Sequence, residues 1–129
     1  MTDAHRVLVV EDNDLNLKLV RDVLGHAGFE VIEARTGEEG VSLAETCNPD
    51  VILMDLQLPD MDGADALGRI RANDPGGRVP VVAVTAFAMR SDRERALRAG
   101  FDGYMAKPIS ARELPRQVAE YVTKEDGDG

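Results

Sequence analysis

Apolar residues along this chain fall into two alternating patterns, which predict a repeated order of strand and helix. Five short, almost continuous apolar runs are typical of buried strands, at residues 7–10, 31–34, 51–54, 81–85 and 103–106. Between these runs apolar residues recur at helical spacing, as Leu17, Val20 and Leu24 do. Parallel strands need crossover helices, which cover both faces of the sheet. The pattern therefore predicts one α/β domain with a doubly wound, five-stranded parallel sheet.

Local signals mark the ends of the predicted helices. Gly28 stands where a left-handed residue would end the first helix. Thr36 and Glu39 have the spacing of a capping box at the start of the second. We expect the fourth helix at about residues 89–99. In the last helix Pro115 leaves two alternatives open, a helix that begins near this proline or one that bends there, because proline lacks a backbone donor.

Length and charge limit the classes of protein to consider. A chain of 129 residues suits one domain, which we expect over residues 1–124, with a disordered acidic tail at 125–129. The formal net charge of −9 opposes direct binding to nucleic acid. No apolar run approaches the roughly 20 residues of a membrane span, and no signal peptide is visible. We expect a cytoplasmic protein with no membrane insertion.

Oxygen-bearing side chains stand at the ends of three predicted strands. Glu11 and Asp12 follow the first strand, Asp55 follows the third, and Thr85 ends the fourth. Ligands of doubly wound sheets bind where the strand order reverses, which for the order 2-1-3-4-5 lies between the first and third strands. Crowded carboxylates repel one another unless a cation is present, and Mg²⁺ suits an open site of oxygen ligands. Lys107, after the fifth strand, adds an ammonium group at the same edge.

Three kinds of site fit these residues: a magnesium site, an aspartyl nucleophile, or a structural cluster of hydrogen-bonded acids. The positions favour an aspartyl nucleophile. An acyl phosphate on Asp55 would need its anionic oxygens neutralised by a metal ion, an ammonium group and a hydroxyl or backbone donor. The residues at the neighbouring strand ends offer each of these.

Several short motifs occur in an order, over nearly the full chain, that is typical of one family. They are Glu11-Asp12-Asn13, Met54-Asp55, Leu58-Pro59-Asp60-Met61-Asp62-Gly63, Thr85-Ala86 and Lys107-Pro108. Together these motifs resemble the receiver domain of two-component response regulators. The segments around them are similar in sequence to stand-alone regulators of the DivK type. Receivers attached to hybrid histidine kinases share much of the same sequence.

The resemblance implies a role for each matching residue. Asp55 would accept a phosphoryl group from the phosphohistidine of a histidine kinase or a histidine phosphotransfer protein. Glu11, Asp12, Asp55 and the main-chain carbonyl of Gln57 would hold Mg²⁺. Lys107 would pair with the phosphoryl oxygens.

The resemblance also implies a switch that a downstream protein partner reads. Thr85 would move toward the phosphoryl group, and Tyr104 would swing into the space that Thr85 leaves. The bond between Lys107 and Pro108 would be cis. Phe87, two residues after the threonine, cannot hydrogen-bond an attacking water, so we expect a comparatively durable phosphorylated form.

Two rival classes fit the residues less well. An aspartyl phosphatase would need a second acid two residues after the nucleophile, where this chain has Gln57. A flavodoxin-like FMN carrier would need a hydroxyl- and glycine-rich loop after the first strand, where this chain has Glu11 and Asp12. We therefore expect a signalling switch rather than a multiple-turnover enzyme. A receiver cut from a hybrid kinase shares the chemistry and stays open as an alternative.

Overall fold

A computed structural model describes residues 4–74, 79–86 and 89–126, with side chains as far as residue 122. Strands and helices alternate along these residues. The strands are β1 (Arg6–Val10), β2 (Glu30–Ala34), β3 (Val51–Asp55), β4 (Val81–Thr85) and β5 (Gly103–Ala106). The helices are α1 (Asp14–His26), α2 (Gly37–Thr46), α3 (Gly63–Ala72), α4 (Arg90–Ala99) and α5 (Leu114–Asp126). All strand pairs are parallel, in the order β2-β1-β3-β4-β5. The predicted fold class and strand order are confirmed.

Helices cover both faces of the sheet, which explains why the strands are almost wholly apolar. Alternate residues of each strand point to opposite faces. On one face Val7, Val9 and Leu53 pack against α1 and α5, and on the other Leu8 and Ile52 pack against α3 and α4. Every residue of β3 and β4 is buried. No helix among the described residues is long and apolar enough to cross a bilayer.

The helix ends follow the local signals, with one difference. Gly28 lies just beyond α1 and has φ +99°, a conformation that glycine adopts without steric cost. Thr36 caps α2, because its Oγ1 accepts a hydrogen bond from the amide of Glu39 at 3.0 Å. The Glu39 carboxylate, however, accepts from the amide of Arg35 rather than from that of Thr36. The second hydrogen bond of the predicted capping box is therefore made to the residue before Thr36.

Helix α5 settles the alternatives that Pro115 left open. The helix begins at Leu114, so that Pro115 lies in its first turn, where the missing amide costs no helical hydrogen bond. The helix runs to Asp126 and so extends two residues into the predicted tail of residues 125–129. The first glycine after Val122, the residue type least favourable in a helix after proline, is Gly127. Residues 127–129 and Phe87 lie outside the described residues.

Candidate functional site

The carboxyl ends of β1, β3, β4 and β5 meet at one edge of the sheet and build a polar pocket. Because Val10 pairs with Met54, the residues that follow β1 lie beside Asp55, the last residue of β3. Thr85 ends the neighbouring strand β4, and Lys107 follows β5. Asp55 is 5% exposed and Thr85 is 1% exposed. Asp55 and Thr85 are thus held almost completely out of water at this edge.

Three carboxylates form the acidic part of the pocket. Glu11, Asp12 and Asp55 each offer an oxygen, and these oxygens all lie within 4.8 Å of one another. Glu11 is as buried as Asp55, whereas Asp12 is exposed and opens the cluster to solvent. These are the three acids that the strand ends predicted to be neighbours.

Lys107 supplies the positive charge of the pocket and contacts two of the acids. Its Nζ lies 2.8 Å from Glu11 Oε1 and 3.2 Å from Asp55 Oδ2. The contact with Glu11 is the shorter one, and the sequence had not indicated it. The ammonium group therefore bridges the buried carboxylates.

Burial and charge act in opposite directions on the pKa values of this pair. Burial raises the pKa of Glu11, although hydrogen bonds from Lys107 and from the amide of Asn13 oppose the rise. Burial alone would lower the pKa of Lys107. The hydrogen bond to Glu11 and the negative charges of Asp55 and Glu11 outweigh it, so the pKa of Lys107 is raised. Each group is kept in place by the opposite charge of the other.

Two backbone amides orient the buried carboxylates. The amide of Asn13 donates to Glu11 Oε2 at 3.1 Å, and the amide of Gln57 donates to Asp55 Oδ1 at 3.0 Å. The expected role of Gln57 involved its carbonyl, but its observed contact in the pocket is made by the amide. The Gln57 side chain itself is exposed.

Thr85 and Tyr104 lie on adjacent strands beside the pocket. The carbonyl of Thr85 accepts a hydrogen bond from the amide of Lys107 at 2.8 Å, which ties the end of β4 to the lysine. The Lys107–Pro108 bond is cis, as predicted. The Tyr104 hydroxyl is buried and has no hydrogen-bond partner among the residues that the structure describes. Burial, and then the charge of Asp92, raises the pKa of Tyr104.

Sequence reasoning missed a contact of the loop between β3 and α3, residues 56–62, which we call the β3–α3 loop. Asp60 in this loop accepts hydrogen bonds from the amides of Gly37 and Glu38, at 2.8 and 3.0 Å, in the first turn of α2. These two bonds lower the pKa of Asp60. An acid in a loop and an uncapped amide in a distant helix turn are each visible in a sequence, but their pairing depends on the path of the loop.

The donor set fits a hard divalent cation. All three clustered acids offer carboxylate oxygens, which are the ligands that Mg²⁺ prefers, and exposed Asp12 leaves a side open to water or to phosphate oxygens. Among the described residues, no cysteine or histidine belongs to this cluster, so the set does not favour a softer metal.

A comparison with known families identifies the domain. A family model described as the response regulator receiver domain matches residues 7–119. The chain belongs to this family. The receiver family explains why acids, a hydroxyl and an ammonium group converge at the ends of four strands, and members act in signalling with kinases and downstream proteins.

Individual relatives agree with this assignment. The polar-differentiation response regulators DivK of Brucella anthropi and Brucella ovis are 42% and 41% identical over 116 residues, which is 90% of this chain and 94% of theirs. A CheY-like receiver from Methanospirillum hungatei superposes with a TM-score of 0.88 at 29% identity and covers 98% of this chain and 100% of its own.

A fourth relative was solved with a metal ion. The receiver domain of a sensor histidine kinase from Pseudomonas aeruginosa is 39% identical, with a TM-score of 0.84, and covers 92% of this chain and 98% of its own. That structure has a magnesium ion coordinated in the active-site cleft. The receiver fold thus occurs among these relatives both in proteins named as response regulators and as part of a kinase.

Proposed function

We propose that this receiver takes a phosphoryl group from the phosphohistidine of a histidine kinase or histidine phosphotransfer protein onto Asp55, with Mg²⁺, and thereby switches its contacts with a downstream protein. The observation that carries the proposal is the position of Asp55: a buried carboxylate held by one backbone amide and one ammonium group, within 4.8 Å of two further acids. The same residues would serve a stand-alone regulator and the receiver of a hybrid kinase.

In the proposed transfer, a carboxylate oxygen of Asp55 attacks phosphorus. The new P–O bond forms as the P–N bond to the donor imidazole breaks, and the electron pair of that bond returns to the imidazole nitrogen. The amide of Gln57 and the ammonium group of Lys107 already hold Asp55 from two sides, which fixes the direction of its free lone pairs. Such positioning is worth much of a phosphoryl-transfer barrier.

Glu11, Asp12, Asp55 and the Gln57 carbonyl would hold Mg²⁺, which when bound supplies positive charge against the phosphoryl oxygens. Lys107 would then turn from the carboxylates toward the new phosphoryl group, because the total negative charge near it increases. Its raised pKa keeps it protonated at neutral pH. No further substrate is consumed in this scheme, so we propose a switch and not a multiple-turnover enzyme.

Thr85 and Tyr104 would carry the change outward. The phosphoryl group brings up to about two negative charges and three acceptor oxygens, which favour a nearby hydroxyl donor. Thr85 is buried at the end of the next strand, and the buried Tyr104 hydroxyl could gain a partner when the packing changes. Phosphorylation would thus shift a population between two packings that downstream partners distinguish.

The donor would approach over the start of α1. Leu15 is 77% exposed there, three residues after Asp12, and an exposed apolar side chain beside a polar pocket is a favourable contact for a partner helix. The chain's negative charge opposes nucleic acid as a direct partner. A cytoplasmic location belongs to the same proposal, because the kinases that would charge the donor use ATP.

The test is chemical phosphorylation followed by intact mass. The protein is incubated with phosphoramidate and Mg²⁺, with and without chelator, beside Asp55→Asn and the control Asp65→Asn, which removes an exposed acid of α3. We expect a metal-dependent phosphoryl adduct on the wild type and on Asp65→Asn, and none on Asp55→Asn. An adduct that survives in Asp55→Asn, or none on any of the three proteins, would contradict the proposal.

A further inference from the structure

The β3–α3 loop is closed on itself at its base. The amide of Gly63 donates to the carbonyl of Leu56 at 3.0 Å, and Gln57 forms an isolated antiparallel bridge with Asp62. Gln57 also bonds Asp55 through its amide. The base of the loop therefore sets the position of Gln57 relative to the acids of the pocket.

Asp60 holds the tip of this loop against another part of the fold. Both of its carboxylate oxygens are used, Oδ1 by the amide of Gly37 and Oδ2 by the amide of Glu38. These amides lie in the first turn of α2, where backbone donors have no partner within the helix and negative charge is favourable. Asp60 is thus a cap supplied to α2 from outside, in addition to Thr36.

Packing at the same junction is tight. A Cβ atom added to Gly37 would lie 2.4 Å from Cγ of Met61, the residue after Asp60. Gly37 is buried, and Met61 packs with the apolar cluster on this face of the sheet. The loop tip therefore contacts the first turn of α2 through the Met61 side chain as well as through the Asp60 carboxylate.

Helix α2 is in turn fixed to the strand that carries the other acids. A Cβ atom added to Gly40 would lie 2.7 Å from Cγ2 of Val10, so the first turn of α2 rests directly on the end of β1. Glu11 follows Val10 in the chain, and its amide bonds the carbonyl of Ala34 at the end of β2. The helix turn that Asp60 grips is thus rigidly placed relative to Glu11.

We propose that Asp60 is a positioning residue, which holds Gln57 at the metal pocket by tying the tip of the β3–α3 loop to the first turn of α2. The role rests on the proposed function, because Gln57 is there a ligand through its carbonyl. Asp60 itself does not belong to the acid cluster. Thermodynamic linkage makes this effect reciprocal. The contacts of Asp60 with α2 strengthen Mg²⁺ binding by the same free energy by which bound Mg²⁺ stabilises these contacts.

The test combines metal affinity with amide hydrogen exchange in the intact chain. Mg²⁺ dissociation constants are measured by calorimetry for the wild type, Asp60→Ala, Asp60→Asn and the charge-matched control Asp65→Asn. Exchange rates of the Gln57 and Leu53 amides are measured by NMR without metal. Leu53 lies in the buried strand β3, so that its amide reports global unfolding.

We expect Asp60→Ala to weaken Mg²⁺ binding about 3- to 10-fold relative to Asp65→Asn, below the loss typical of residues that contact a metal ligand directly. Asp60→Asn keeps one acceptor oxygen and should fall between the two. The Gln57 amide should exchange about 10-fold faster in Asp60→Ala, because the loop loses the hydrogen bonds that hold its tip, while the Leu53 amide changes less. Gly37→Ala, which pushes Met61 from the other side, should act in the same direction.

Two results would overturn the proposal. One is an Mg²⁺ affinity of Asp60→Ala within twofold of that of Asp65→Asn. The other is an equal acceleration of the Gln57 and Leu53 amides, which would mean that Asp60 supports only global stability. If the wild type itself fails to bind Mg²⁺, the proposed function fails. In that case the amide exchange of Gln57, measured without metal, still decides whether Asp60 positions the loop.

Discussion

Replacing Lys107 by methionine would test how the pocket is stabilised without metal. The change keeps a side chain of similar length and removes the ammonium group. That group contacts Glu11 Oε1 at 2.8 Å and Asp55 Oδ2 at 3.2 Å, and the Lys107 side chain is only 18% exposed. In Lys107→Met two buried carboxylates keep one backbone amide each but lose their shared counter-charge.

The size of the effect follows from this geometry. Leaving one partner of a fully buried ion pair unpaired costs about 3–5 kcal/mol. The pocket opens to solvent at Asp12, and buried Glu11 can take up a proton, so both act to reduce the cost. We expect Lys107→Met to lower the free energy of unfolding by about 2–3 kcal/mol in the presence of chelator, the range of one charge-assisted hydrogen bond.

Mg²⁺ should reverse much of this loss. The ammonium group and a divalent ion share the same carboxylates, so the variant should gain more stability from Mg²⁺ than the wild type does. A ligand at 100 times its dissociation constant stabilises a protein by about 2.7 kcal/mol, which is similar to the expected deficit. The difference in unfolding free energy between the two proteins should therefore narrow when Mg²⁺ is added.

Urea unfolding followed by far-ultraviolet circular dichroism measures both effects, since the chain has no tryptophan. Lys18→Met is the matched control, because Lys18 forms an exposed ion pair with Asp22 within α1. Such an exposed pair contributes little to stability. If Lys107→Met and Lys18→Met lose equal stability in chelator, or if Mg²⁺ leaves the deficit of Lys107→Met unchanged, Lys107 is not the counter-ion of the pocket.

Three further predictions concern residues around the pocket. In Gly103→Ala the new Cβ would lie 1.7 Å from the Tyr121 hydroxyl oxygen, so we expect the free energy of unfolding in urea to fall by about 1–3 kcal/mol. Adding Tyr121→Ala to this variant should restore part of the loss. If the losses of the two single variants simply add in the double variant, the predicted clash is contradicted. Tyr104→Phe removes a buried hydroxyl that has no hydrogen-bond partner among the described residues. The free energy of unfolding of this variant should therefore equal that of the wild type or exceed it by up to about 1 kcal/mol. A clear loss of stability would mean that the hydroxyl has a partner. The pKa of Asp60 is lowered from 3.8, so its stabilising effect is present above pH 3.8 and disappears as the pH falls through the folded-state pKa. Asp60→Asn should therefore be less stable than the wild type at pH 7, and the two should converge in acid; a gap independent of pH would refute this.

The fold was predictable because burial on both faces leaves a strong pattern in the sequence. The run that ends in Thr85 became β4 with the predicted bounds. Strand β5 also has the predicted bounds, whereas β1, β2 and β3 are each one residue longer at one end. Asp55 belongs to β3, for example, and a pattern of apolar residues does not reveal that a carboxylate continues a strand. For a related reason the end of α5 was not predictable, because the polar residues after Val122 are compatible both with a helix and with a loop.

The neighbours in the pocket followed from topology, but their individual contacts did not. Parallel strands that end at one edge bring Glu11, Asp55 and Lys107 together whatever their side-chain rotamers are. Whether Lys107 lies nearer to Glu11 or to Asp55 depends on differences of tenths of an ångström, which no sequence pattern specifies. The bond between Asp60 and α2 joins segments 22 or 23 residues apart through a loop whose path only the folded structure fixes.

The order of the pocket's groups along the chain has a consequence for synthesis on the ribosome. The acids Glu11, Asp12 and Asp55 are made first, and the ammonium group of Lys107 comes from the strand end that is made last. A nascent chain that stops short of β5 holds these carboxylates without their counter-charge and without the carbonyl contact from Thr85 to Lys107. Under the proposed function, a growing polypeptide would therefore lack the group that pairs with the phosphoryl oxygens until its last strand has joined the sheet.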